Sequence, residues 1–171
     1  MGTTTKIALI GRSGTGKTTL ARQLDWVRLA FGTEVKRTLG QHITEAAGLM
    51  CDDYYRFIEE RKAQYRSLIQ EFGDSVRELD PYVWIRPVRT RVLHETSAIV
   101  IDDMRYIREA EVMTKLGFKI VLVHGEFDPL PEPQRSHKSE REHLFIPYDR
   151  IIDNFCGRPP LEQLLEFIDA S

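Results

Sequence analysis

Residues 11–18 read G-R-S-G-T-G-K-T, which fits the pattern G-x-x-x-x-G-K-[ST]. Each residue type there has a physical task. Gly11, Gly14 and Gly16 permit a tight turn in which the backbone N–H groups of Arg12, Ser13 and Thr15 converge on phosphate oxygens. The helix expected next would begin with its positive end at the same point. The Lys17 ammonium is placed to reach β- and γ-phosphates, the Thr18 hydroxyl to bind Mg²⁺, and Thr19 to add a contact. The chemistry expected of Gly11 to Thr19 is therefore binding of a nucleoside triphosphate with Mg²⁺.

A second set of polar residues follows an aliphatic run. Residues 98–105 read A-I-V-I-D-D-M-R, a buried strand ending in two carboxylates and an arginine. Counting along the strand favours Asp102 as the acid facing Mg²⁺, with a strand-end capping role as its alternative. Arg105 suits an acceptor phosphate, because a guanidinium grips phosphate oxygens in pairs. Further on, residues 133–143 read P-Q-R-S-H-K-S-E-R-E-H, a run no core element can accommodate. It brings Arg135, His137, Lys138 and Arg141 together where a closing segment would deliver cations to a transferring phosphoryl group. Glu140 and Glu142 interrupt it, so it is not a plain basic patch. Between Tyr54 and Trp84, the arginines Arg56, Arg61, Arg66 and Arg77 lie among aromatics. Core packing accounts for most of that stripe; base stacking by Phe57, Tyr65 or Trp84 is the alternative.

The elements that must position these groups alternate between strand and helix. Lys6 to Ile10 reads as a buried strand, and Gly16 to about Phe31 as a helix with Leu20, Leu24, Val27 and Phe31 on one face. Glu34 to Leu39 reads as a second strand. Ile43 to Phe72 reads as helix in two pieces broken near Gly48 and ended by Gly73, and residues 83–95 as another helix with Pro87 near its start. Ala98–Ile101, Lys119–Val123 and Arg150–Ile152 read as strands, with helices over Arg105–Leu116 and Leu161–Ile168. This order predicts an α/β fold with three layers and a parallel sheet of about five strands, whose ligands sit at the strands' carboxyl ends.

Composition narrows the partners. The chain has 171 residues, a formal net charge of −2 and charged residues at 29%, so no overall basic field draws nucleic acid. Cys51 and Cys156 are the two cysteines and stand in no metal-type spacing. No apolar run approaches the roughly 20 residues of a membrane span. The opening M-G-T-T-T-K-I-A-L-I-G is too short in apolar residues for a signal peptide and has Lys6 where myristoylation requires Ser or Thr. A cytoplasmic protein is expected.

The phosphate-binding motif alone does not name a reaction. No N-K-x-D guanine-reading motif occurs, and the chain is short for a motor ATPase. Four stretches, residues 65–84, 98–123, H-K-S-E at 137–140 and Y-D-R-I-I-D-N at 148–154, together resemble the phage deoxynucleoside monophosphate kinase family. Similarity to phosphomevalonate kinase is weaker. The resemblance implies a P-loop kinase fold built like adenylate kinase. Its core would be residues 1–40, 95–125 and 146–171, its helical acceptor-binding insertion about 41–94 and its short lid about 126–145. It implies transfer of the γ-phosphoryl group of ATP to a deoxynucleoside monophosphate, Mg²⁺-dependent, and it allows a homodimer. It carries the aspartate of a D-x-R motif onto Asp103 and the arginine onto Arg105. Gln70 and Arg77 fall at the acceptor site, together with Arg66, Trp84, Lys138 and Glu140, while His137, Ser139 and Glu140 form the lid motif. The chain departs from the family at Tyr106, Ile107 and Arg108, and Asp102 is an added acid before the motif. Asp102 and Asp103 both stay candidates for the metal, and the acceptor base is open. A modified base in DNA, such as a 5-hydroxymethylpyrimidine, or another phosphorylated metabolite is the alternative acceptor. An acceptor-free ATPase or nucleotide switch is the alternative of a different class.

Overall fold

A computed structural model describes residues 4–126, 137–155 and 157–170. It divides the chain into two compact units, Met1–Ala30 with Arg91–Ser171, and Phe31–Thr90.

The first unit is built on a five-stranded sheet, in which β1 (Lys6–Ile10), β2 (Val27–Leu29), β3 (Ile99–Ile101), β4 (Lys119–His124) and β5 (Arg150–Asp153) lie in the order β2-β3-β1-β4-β5. Every pairing is parallel. Both faces of β1 and β3 are buried, which is why these strands read as unbroken aliphatic runs. Ile7, Leu9, Val100, Val121, Val123 and Ile152 form one apolar cluster with Leu20 and Ala21 of α1 (Lys17–Arg22) and Leu164 of α7 (Pro160–Asp169). Helix α6 (Ile107–Lys115) packs against β4 and buries Ala110 and Met113. This is the parallel α/β class expected. Because β1 sits between β3 and β4, the chain ends of these three strands open side by side, at the position where ligands bind such sheets. Among the described residues no helix is long and apolar enough to cross a membrane.

Two of the expected elements are corrected here. The first helix stops at Arg22, and Val27–Leu29 is the edge strand β2. The three- and four-residue spacing of Leu20, Leu24, Val27 and Phe31 imitates a helical face, but Val27, Arg28 and Leu29 pair in register with Ile99, Val100 and Ile101. Glu34 to Leu39 is not a strand but lies within α2 (Gly32–Ala46), where Val35, Leu39, Gly40 and Thr44 are buried at helical spacing.

The second unit is helical, with α2, α3 (Tyr54–Glu59), α4 (Lys62–Leu79) and the first part of α5 (Ile85–His94), whose last turn belongs to the first unit. The break after α2 falls at Gly48, φ +64°, as expected. Gly73 does not end a helix; it is buried inside α4. A Cβ there would stand 3.3 Å from Val35 Cγ1, and the Gly73 carbonyl accepts a 2.9 Å hydrogen bond from Trp84 Nε1. Gly73 is thus a site of close helix packing, not a stop signal.

Candidate functional site

The loop between β1 and α1 has the strand–turn–helix setting its sequence requires. Its glycines all take positive φ, +138° at Gly11, +87° at Gly14 and +94° at Gly16. At Gly11 a side chain is also excluded sterically, since a Cβ would lie 2.5 Å from the Val123 backbone carbonyl oxygen; at Gly16 it would meet the movable side-chain amide of Asn154, Nδ2 at 2.8 Å. The loop is pinned from below as well. Thr15 Oγ1 donates to the Arg12 carbonyl at 3.0 Å, and Asn154 Nδ2 donates to the Thr15 carbonyl at 3.2 Å. Asn154 follows β5, so the sheet itself clamps the loop. Thr18 and Thr19, at the start of α1, are exposed.

Lys17 is 6% exposed. Its ammonium donates to the Gly11 carbonyl at 2.7 Å and to the Arg12 carbonyl, so the lysine folds back over its own loop. Burial pushes its pKa down to about 7; Arg105 adds to the depression, while Glu140, Asp102 and Asp103 oppose it. Three charged groups expected at the end of β3, Asp102, Asp103 and Arg105, and Glu140 of the expected lid motif therefore act on one lysine. Asp102 is 6% exposed, with Arg28 Nε 3.9 Å away, whereas Asp103 is half-buried.

Arg105 is held by its neighbours. Its backbone N–H and that of Tyr106 both donate to Glu109 Oε2, at 2.9 and 3.1 Å, which fixes the turn leading into α6. Its guanidinium forms an ion pair with Glu140 and reaches the Ser139 carbonyl at 3.5 Å. Glu140 Oε2 in turn accepts the Ser13 backbone N–H at 3.2 Å. Lys138–Glu140 and Glu142–Phe145 are short 3-10 turns. His137 Nδ1 lies 2.9 Å from Ser139 Oγ and accepts the Ser139 N–H at 3.2 Å. Lys138 and Arg141 are exposed, and Lys138 Nζ is 3.5 Å from Glu142 Oε2. Arg135 lies outside the described residues.

The structure thus brings Lys17, Asp102, Asp103, Arg105 and Glu140 together within the first unit. The expected acceptor residues Arg66, Gln70, Arg77 and Trp84 belong to the second. There Trp84 is 5% exposed and packs on Phe72 at a 6.1 Å ring-centroid distance, a core role within that unit. Arg77 pairs with Asp74, and Arg66 and Gln70 are half-buried on α4.

Two residues at the site are not among the expected site residues. Asn154 is one: it closes the Y-D-R-I-I-D-N stretch, and the rule that sites form at strand ends is what points to it. His143 is the other: it is 2% exposed, and its Nδ1 has no partner among the described residues. Burial, then Arg105 and Lys17, hold its pKa down at about 4. The unfolded chain binds a proton near pH 6.5 that the folded chain refuses until about pH 4. Stability therefore falls as pH drops through that window, and His143→Phe should remove about 2 kcal/mol of the loss. Melting temperatures of both proteins between pH 7 and pH 4 check this; parallel curves would clear His143 of the effect.

No family model and no curated protein matches this chain. Among solved structures, shikimate kinase from Aquifex aeolicus is similar over 96% of each chain, at 16% identity and a TM-score of 0.42.

Proposed function

We propose that this chain is a phosphotransferase that passes the γ-phosphoryl group of ATP to a phosphorylated acceptor, best matched by a deoxynucleoside monophosphate. The observation that carries this reading is the pairing of a complete phosphate cage with an arginine from another strand end. A nucleotide-binding switch needs the cage alone. Here Arg105 stands close enough to Lys17 to add to the depression of its pKa that burial causes, and both aspartates act on the same lysine in the opposite sense.

The donor set fits ATP with Mg²⁺. Backbone N–H groups of residues 12–16 and Lys17 would hold the phosphates. Thr18 with Asp102 or Asp103 would hold the metal, which would supply positive charge against the phosphates. The chain's own task is positioning. Lys17 supplies a cation at the phosphate tail, and Arg105 orients the acceptor phosphate or neutralises the group in transit. Little covalent chemistry is asked of either. The acceptor class rests on the sequence stretches 65–84, 98–123, 137–140 and 148–154 taken in order.

Assays of ADP formation with each common deoxynucleoside monophosphate, ATP and Mg²⁺ test the proposal. ADP formation that depends on acceptor supports it, whereas hydrolysis indifferent to acceptor favours an ATPase. Label transferred only to DNA bearing modified bases would reassign the acceptor. Arg105→Ala should lower kcat about 10²-fold and raise the acceptor KM while ATP binding is nearly kept. Unchanged kinetics would remove Arg105 from the site.

A further inference from the structure

Glu140 stands where a phosphate oxygen is expected. Its carboxylate accepts the N–H of Ser13, a residue 127 positions away in the chain and central to the glycine-rich loop. Its other oxygen is paired with Arg105. The side chain is 9% exposed, so this is not a surface ion pair. A carboxylate and a phosphoryl group present the same feature to these donors, a delocalised anion that takes an N–H on one oxygen and a guanidinium on another. We infer that Glu140 is a built-in occupant of the phosphate cage, holding Ser13 and Arg105 until an incoming phosphoryl group replaces it. This rests on the reading of the loop as a nucleotide site and adds a regulatory contact to it.

The segment is arranged to release the carboxylate without letting go of the protein. Glu142 Oε1 accepts the Ile107 N–H at 3.0 Å, which ties the same stretch to the start of α6. Ser139, 7% exposed, is fixed through His137. Between these anchors Glu140 needs only a side-chain rotation to leave. It must leave, because a carboxylate and a polyphosphate cannot share one N–H and one guanidinium without strong like-charge repulsion. Exchange also frees Arg105 at the moment phosphate arrives, so the arginine becomes available to a reacting group only when the cage is filled. A nucleoside without phosphate has nothing to offer these donors and leaves the contact closed.

Because the occupied form is incompetent to bind, the apparent dissociation constant is raised by the inverse of the competent fraction. Removing the carboxylate should therefore tighten binding. Titration calorimetry of the full chain, Glu140→Gln and Glu140→Ala would use MgATP and, as a probe without nucleoside, inorganic tripolyphosphate. Glu140→Ala is expected to bind both probes about tenfold more tightly than the parent. Glu140→Gln should lie between, since its amide oxygen still accepts the Ser13 N–H but the charge on Arg105 is no longer met. Parent affinity unchanged or weakened in both variants overturns the inference and makes Glu140 a structural ion pair or a substrate contact. Failure of all three proteins to bind either probe overturns the nucleotide reading, and this inference with it. The glutamine variant is isosteric, so its folding, checked by melting temperature, keeps the comparison valid if the alanine variant is unstable.

Discussion

Lys17→Met is expected to abolish phosphoryl transfer and yet leave the protein at least as stable near pH 6. The functional half follows from charge. The cage offers backbone dipoles, but Lys17 adds a cation to it, and removing a preorganised charge from a transfer site costs about 4 kcal/mol of barrier, near 10³-fold in rate. The stability half follows from burial. Lys17 is 6% exposed and its pKa is pushed from 10.5 down to about 7. Between those values the unfolded chain holds a proton that the folded chain has released, so stability from this residue rises with pH across that window. Below pH 7 both states are protonated and the fold bears the whole cost of a buried ammonium, offset by the Gly11 and Arg12 carbonyls it touches. A methionine of similar length removes the charge and leaves those carbonyls to water or to the loop. A gain of about 1–2 kcal/mol at pH 6 that fades by pH 10 is expected. Urea melts at the two pH values decide it. A variant less stable than the parent at pH 6 would show that the lysine holds the loop's shape through those carbonyls.

The parts of this molecule legible in the sequence are those whose cause is local. The glycine-rich loop 11–18 is contiguous, and its glycines serve a backbone turn that needs no distant partner to be recognised. The strands β1, β3 and β4 announce themselves because burial makes β3 and the middles of β1 and β4 continuous aliphatic runs. Where a distant partner decides, the reading fails in a specific way. Three residues of β2 are strand only because β3 offers them hydrogen bonds, and their spacing also fits a helix. Gly73 resembles a helix stop until Val35 and Trp84 are seen against it. The same holds at the site. Lys17, Asp102, Asp103 and Arg105 follow from strand ends and motif, and the structure gathers them. That Glu140 would bind the loop's own N–H, that Asn154 would clamp Thr15, or that His143 would lie buried among cations depends on contacts across more than thirty residues of chain. No local pattern encodes such contacts. Charge in the segment 137–143 was visible, but its sign at the decisive position is negative where a phosphate site calls for positive.

Gly11→Ala should be nearly as damaging as loss of Lys17, and for a steric reason that leaves every charged group in place. Gly11 has φ +138°, a backbone conformation that side chains with a Cβ adopt only under strain of about 1–3 kcal/mol. Its space is closed as well, since the added carbon would lie 2.5 Å from the Val123 carbonyl oxygen. That neighbour is backbone in β4, buried in the sheet between β1 and β5, so it cannot swing aside as a flexible side chain would. The loop must move instead. Gly11 is also the carbonyl to which Lys17 donates, and the first residue of the turn that aims the N–H groups. A shift there misplaces the lysine and the cage together. Misalignment of about 1 Å costs about 10² in rate when it affects one group. With cage and lysine displaced at once, about 10³-fold loss in kcat/KM is expected, alongside about 3 kcal/mol of stability. Nucleotide binding and urea melts on the same preparation check both halves. Full activity with lowered stability would show that the loop absorbs the methyl group without changing the direction of its amides, and that phosphate recognition here tolerates a geometry the glycine was thought to fix.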